Sequence, residues 1–260
     1  LSAQNTFCLY FHPTHIAYAI YDNQEYLYTD LGVDFFDLNK DSSFHNNIQV
    51  WLKNNNELIN KTYDNIHIGI YSNTFTILND NIDNEQNIVS LVTNYNAETQ
   101  DLFLLHVERD FNIYYAINKD LILLTHQYFI NKNIQFGDAG LLKFCQQKIS
   151  EPKCIIAQIY NNSISIVYKE NDHIRYYNQF FYTTKEDMLY YILWVYNEFE
   201  LDTNSFPLHI FGWIEDNAPL FGIIYNYLRN VNIGNIPFQI QTPHEYYKNH
   251  YFAHVLGLRI

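Results

Sequence analysis

The sequence is short of cysteine, of basic residues and of long apolar runs, and each shortage removes a class of protein. Its three cysteines, Cys8, Cys145 and Cys154, are odd in number and show no Cys-x-x-Cys spacing. They fit a reducing compartment and supply neither a disulfide framework nor a zinc cage. No stretch approaches the roughly 20 uninterrupted apolar residues of a membrane span. The apolar opening, Thr6 to Tyr21, is broken by His12-Pro13-Thr14-His15, so it reads as two strands and a turn rather than a signal sequence. The expected location is therefore cytoplasmic, although a chain opening on Leu1 instead of Met could have lost a short leader. Lys and Arg number 15 against 28 Asp and Glu, for a net charge of −13. Such a chain repels phosphate backbones and gains nothing from counterion release, which argues against nucleic acid as a partner. It also repels ATP unless a local site compensates.

What is present is apolar surface in quantity. Hydrophobic residues make up 48% of the 260 residues and charged ones 17%, enough for a real core and far from a disordered composition. Two strand-rich openings stand about 150 residues apart along this chain. Thr6–Phe11, His15–Tyr21 and Glu25–Asp30 form the first, and Cys154–Tyr160, Ser163–Lys169 and His173–Tyr182 the second. Turn residues bound each run, so both read as three-stranded meanders. Asn161-Asn162 suits a two-residue hairpin turn because Asn tolerates positive φ.

A helix and then a strand follow each meander. In the second half, Thr183-Thr184-Lys185-Glu186 reads as a capping box. Met188, Tyr191, Ile192, Val195 and Phe199 recur beyond it at helical spacing. Pro207–Phe211 is a short strand ending at Gly212, Tyr225 and Leu228 mark a further helix, Ile236–Ile240 a last strand and Glu245–Leu258 a last helix. In the first half, helices are expected near 44–52, 84–95, 120–129 and 139–149. Strands are expected at 66–71 and 74–78, with a hairpin at 102–107 and 112–117. The order βββαβαβα, met twice, predicts an α/β fold of two lobes with mixed sheets flanked by helices, a plan that resembles that of the actin-like ATPases. The lobes are expected at 1–150, with an insertion near 73–117, and at 151–260, with Ser150-Glu151-Pro152 as the break.

One segment is more specific. Asn178-Gln179-Phe180-Phe181-Tyr182-Thr183-Thr184-Lys185-Glu186-Asp187-Met188-Leu189-Tyr190-Tyr191-Ile192-Leu193 resembles the recurring N-x-F…T-x-E-D-x-x-Y-Y-x-L signature of a bacterial domain-of-unknown-function family, number 3822. Leu208-His209-Ile210-Phe211-Gly212 fits that family's pattern too. The resemblance implies an actin-like, ribonuclease H-like fold without an assigned activity. More distantly, it points to actin-like cytoplasmic proteins that help assemble pili and secretion machines.

An active member of the actin-like ATPases needs glycine-rich turns whose N–H groups wrap the phosphates, a carboxylate near each turn for metal and water, and a Gly-Gly turn against the adenosine. The first phosphate-loop position here is His12, Pro13 and Thr14, without glycine or carboxylate, and Pro13 removes a donor. The second is Asn161, Asn162 and Ser163, again without glycine or acid. At the adenosine-loop position Gly212 is followed by Trp213 where a second small residue is wanted. The three departures together predict a pseudo-ATPase with no catalytic residues, no metal and no cofactor, ATP and Mg being disfavoured. The function expected is a non-catalytic scaffold or regulatory module with a protein partner, and a homodimer stays open. The alternative is a divergent kinase or ATPase in which His12, Thr14 and Asn162 replace the backbone donors. His12 and His15 are expected at the surface of a tight turn rather than on a metal. Asp22, Asp30, Asp34 and Asp37 read as solvated loop acids and Cys8 as core. Trp213 could cover the adenosine position, anchor a partner or pack in the core.

Overall fold

A computed structural model describes residues 5–37, 42–78, 101–214, 219–241 and 248–260. The chain divides into two compact units, Leu1–Ala139 with Gln239–Thr242 and Arg259, and Gly140–Phe238 with Pro243–Leu258 and Ile260. The first division thus falls between Ala139 and Gly140, at the start of the helix that precedes Ser150-Glu151-Pro152.

In the first unit, β1 (Asn5–His12), β2 (His15–Asp22) and β3 (Leu27–Phe35) form the expected meander. Helices α1 (Phe44–Asn54) and α2 (Asn56–Ile59) lead to β4 (Asn65–Ile70). Ser43 caps α1 by accepting the Asn46 N–H, and Ile48, Trp51 and Leu52 form its buried face. After α3 (Lys119–Tyr128), β8 (Lys132–Phe136) closes a five-stranded sheet of order β3-β2-β1-β4-β8. The intervening β5 (Phe75–Leu78), β6 (Asp101–Val107) and β7 (Asn112–Asn118) make a separate three-stranded sheet, where the insertion is expected. The helix expected near 84–95 lies outside the described residues.

The second unit repeats the plan. Helix α4 (Ala139–Lys148) runs into β9 (Lys153–Ile159), β10 (Ser163–Glu170) and β11 (His173–Phe181). Then come α5 (Lys185–Glu198), β12 (Leu208–Gly212), α6 (Pro219–Tyr227) and β13 (Val231–Ile233). The sheet order is β11-β10-β9-β12-β13, the same as in the first unit. In both sheets the first strand pairs antiparallel with the second and parallel with the fourth.

The core of this unit lies between the sheet and its helices. Ile155, Ala157, Ile164, Ile166, Leu208 and Ile210 meet Met188, Ile192, Val195 and Tyr196 of α5, with Ile224 and Leu228. Lys169 on β10 is buried, and its ammonium donates to the carbonyls of Ile149 and of Glu151 (3.2 Å for the latter). A buried cation is thus satisfied by the exit of α4, where free carbonyls and the helix dipole favour positive charge.

Several local expectations shift. The box that caps α5 is formed by Thr184 and Asp187, one residue later than read, because the Asp187 carboxylate also accepts the Thr183 N–H. Those hydrogen bonds hold its carboxyl below the usual carboxylate range. Positive φ occurs at Asn171 (56°) in the β10–β11 turn, and not at Asn161 or Asn162. Strand β8, unread in the sequence, follows Asn131 (φ 53°). The last strand is Val231–Ile233 rather than 236–240, since Leu208 pairs directly with Val231. Of the expected stretch only Ile240 makes a β-bridge, to Tyr28. The C-terminal helix is broken into a 3-10 turn Asn249–Phe252, α7 (Ala253–Leu256) and a second 3-10 turn Gly257–Arg259.

Candidate functional site

In open α/β sheets, ligands bind beyond the carboxyl ends of the parallel strands. In the first unit, Phe11, Ile70 and Phe136 are aligned across β1, β4 and β8. The turn His12–His15, Tyr71 and the Gly137-Asp138 pair therefore leave the sheet at the same edge. In the second unit, Ile159 is aligned with Gly212, which puts Asn161-Asn162 and Trp213 at the corresponding edge.

The two edges match bond for bond. Tyr71 N–H donates to the Phe11 carbonyl and Phe36 N–H to that of Thr14, both at 2.9 Å. Trp213 N–H donates to the Ile159 carbonyl at 2.9 Å and Tyr182 N–H to that of Asn162 at 3.0 Å. Pro13-Thr14 and Asn161-Asn162 are thus the same turn in two copies, and Tyr71 occupies the place of Trp213.

The first turn is closed by its own side chains. Contrary to the surface placement expected, His12 and His15 are buried, as is Thr14. Thr14 N–H points at His12 Nδ1 (3.3 Å), and the Thr14 hydroxyl lies 2.8 Å from His12 Nδ1 and 3.0 Å from His15 Nδ1. A single donor order satisfies all three contacts. His15 Nδ1–H donates to Thr14 Oγ1, and the hydroxyl and the amide of Thr14 both donate to His12 Nδ1. His12 then carries its proton on Nε2 and His15 on Nδ1. The two rings lie 4.8 Å apart on either side of the Thr14 hydroxyl. Tyr71 packs edge-on against His12 at 4.6 Å. Burial, with the Asp138 carboxylate nearby, holds its phenol well above the ordinary range.

Asp138 is a carboxylate that sequence reasoning missed. It is fully buried and accepts from the Tyr10 hydroxyl at 3.3 Å. Its signal is the Gly137-Asp138 pair between a strand and a helix. A Cβ on Gly137 would lie 2.9 Å from the Tyr71 backbone, so glycine lets the chain pass close to β4 there. Among the described residues no group of His, Cys, Asp and Glu is arranged to hold a metal ion. Of the acids read as solvated, Asp34 accepts from Trp51 Nε1 at 2.6 Å and Asp22 caps its turn through the Gln24 and Glu25 N–H groups. Cys8 is core.

The second turn exposes Asn161 and Asn162, while Ser163 is buried. Tyr160 N–H donates to the Ser163 carbonyl at 2.8 Å. Gly212 has φ +87°, and a Cβ there would lie 2.0 Å from the Ile159 carbonyl oxygen, so glycine is required by β9 itself. Beside it the C-terminal segment packs onto the turn. Trp213 meets Tyr251 edge-on at 4.9 Å and Phe252 at 6.4 Å, and His250 Nε2 donates to the Ile214 carbonyl at 2.8 Å. Gln158 donates to His254 Nδ1 at 3.3 Å, and complete burial pushes the His254 imidazole down to about 3. Of the readings open for Trp213, packing against its own chain is the one observed. Nothing in the sequence signalled that the C-terminal segment would be its partner.

Replacing Thr14 by Val keeps the shape and removes both hydroxyl contacts. The expected loss is about 1–3 kcal/mol, read from urea midpoints, because buried imidazole groups lose their partner. Thr14→Ser should keep most of the stability. Equal losses in the two variants would show that the methyl, not the hydroxyl, matters.

Comparison with known proteins bears on both family and fold. A family model described as "Protein of unknown function (DUF3822)" matches residues 1–231. A Bacteroides thetaiotaomicron protein with actin-like ATPase fold and unknown function superposes with TM-score 0.78 at 18% identity, over 92% of this chain and 93% of that one. A PilM–PilN type IV pilus biogenesis complex gives 0.61 at 9% (99% and 97% covered), and the ethanolamine utilization protein EutJ from Carboxydothermus hydrogenoformans 0.53 at 10% (98% and 88%). No match is found among curated proteins. The actin-like ATPase fold is thereby established from both sides, the paired sheets and the superposed structures.

Proposed function

Since the chain belongs to the DUF3822 family of proteins of unknown function, with an actin-like ATPase fold, we propose that it works as a non-catalytic protein-binding module of the cytoplasm rather than as an ATPase. The observation that carries this reading is the first turn. Pro13 has no N–H, and the Thr14 N–H is turned onto the His12 ring, so the backbone donors that would wrap a phosphate are missing or spent. The Gly212-Trp213 turn supports it, because aromatic side chains of the same unit occupy the ground beside the glycine. On this reading His12, Pro13 and Thr14, with Asn161, Asn162 and Ser163, are remnants of phosphate loops, and Gly212 and Trp213 of an adenosine loop. The PilM–PilN complex shows this fold engaged with another protein, which favours a protein partner.

Thermal unfolding with and without Mg-ATP tests the proposal. A ligand at 100 times its Kd stabilises the folded state by about 2.7 kcal/mol, which raises Tm by several degrees. The expected result is no shift and no phosphate release. Phosphate release overturns the non-catalytic reading, and a clear rise in Tm without release overturns the claim that the turns have lost their phosphate donors.

A further inference from the structure

Helix α5 carries an aromatic stripe at its solvent side. Glu186, Tyr190, Trp194 and Glu198 recur at every fourth position and so line one helix face. Tyr190 is 63% exposed and Trp194 37%, and both glutamates are exposed. Rings beneath fix the stripe in place. Tyr191 stacks on Phe180 with centroids 4.4 Å apart and meets Tyr190 edge-on at 5.6 Å, while Trp194 lies 6.0 Å from Tyr176. The helix at the same place in the first unit, α1, exposes Asn46, Val50, Lys53 and Asn54 instead. Since the duplicated unit folds with a ring-free outer face, Tyr190 is not there for the sheet, while Trp194 packs one side on Tyr176 and Phe180 of β11 and leaves the other exposed.

The chemistry of the face selects its occupant. Held rings offer contact area at little further cost in side-chain entropy. Their faces attract ammonium and guanidinium groups, and a carboxylate stands at each end of the stripe, about 18 Å apart at 1.5 Å per residue. A net charge of −13 steers cationic partners towards the protein and anionic ones away. We propose that this face docks a basic amphipathic segment of a partner protein, with apolar side chains and Lys or Arg stems on Tyr190 and Trp194 and cationic heads on Glu186 and Glu198. The proposal rests on the protein-binding part of the function given above and assigns it a surface.

The probe is a synthetic amphipathic Leu/Lys peptide of about four helical turns, titrated calorimetrically into the full chain at low salt. A Leu/Glu peptide of the same pattern and an oligolysine of equal length serve as comparators. The Leu/Lys peptide should bind saturably and at least about tenfold more tightly than oligolysine, and the Leu/Glu peptide should not bind. Tyr190→Ser with Trp194→Ser should weaken binding at least about tenfold. Glu186→Gln with Glu198→Gln should weaken it and flatten its salt dependence, and this pair keeps the test valid if the aromatic variant fails to fold. Unchanged affinity in either pair, or equal affinity for oligolysine, overturns the assignment. The Mg-ATP measurement is independent. Phosphate release there removes the non-catalytic reading and leaves the stripe standing, whereas failed peptide binding without release removes only the stripe.

Discussion

Gly212→Ala is expected to lower the stability of the protein by about 3–5 kcal/mol, a large part of what a domain of this kind has in total. Two costs add. An L-residue at φ +87° sits in the left-handed region at about 1–2 kcal/mol. The new Cβ would also stand 2.0 Å from the Ile159 carbonyl oxygen and 2.7 Å from its nitrogen. Both are backbone atoms of the central strand β9, so no flexible side chain can yield and β12 must move. That movement would carry Trp213 with it and disturb its packing on Tyr251. Gly222 in α6 is the control, because nothing lies within 4 Å of a Cβ built there. Gly222→Ala should be neutral or stabilise by up to about 1 kcal/mol, as expected of alanine inside a helix. Urea unfolding of both variants reads the difference. A loss below about 1 kcal/mol for Gly212→Ala would refute the rigid contact with β9.

Acid should destabilise the protein well above the range where carboxylates titrate. Complete burial pushes the His254 imidazole down from 6.5 to about 3, and burial lowers that of His209 as well. Both are neutral in the folded and unfolded chain at pH 7.5, and neither affects stability there. As pH falls below about 6.5 the unfolded chain takes up protons that the folded one refuses. Stability then declines by up to about 1.4 kcal/mol per pH unit for each such group. For His254 the decline continues until pH nears 3, where the folded form protonates too. Urea midpoints between pH 7.5 and 5 would show the slope before carboxylates contribute. His254→Gln keeps a polar side chain towards Gln158 and should flatten the profile. An unchanged slope in this variant would locate the proton uptake elsewhere.

The sequence and the structure agree best where a signal is local. Runs rich in Tyr, Ile and Phe and bounded by turn residues marked both meanders, whose strands β1, β2, β9 and β10 are buried along nearly their whole length. Helix α5 was legible from its cap and its stripe, with the box displaced by one residue because two adjacent threonines can each begin it. Strand β8 was not legible. Lys132–Phe136 is short and polar, and it becomes a strand only because the edge of β4 offers a partner for it. The register of β13 was misplaced for the same reason, as parallel pairing is set by the neighbouring strand and not by local composition.

The same division runs through the site. The sequence by itself determined that His12-Pro13-Thr14, Asn161-Asn162-Ser163 and Gly212-Trp213 depart from phosphate and adenosine turns, because a missing glycine or N–H is a covalent fact. It also determined the twice-repeated element order, from which the actin-like plan followed. Only the tertiary structure decided that His12 and His15 are buried, that Asp138 stands beside Tyr10, and that the C-terminal segment covers Trp213. The last two join residues more than 30 positions apart, as Tyr10 with Asp138 and His250 with Ile214. Burial is a property of what the rest of the chain places around a side chain, and no local pattern carries it.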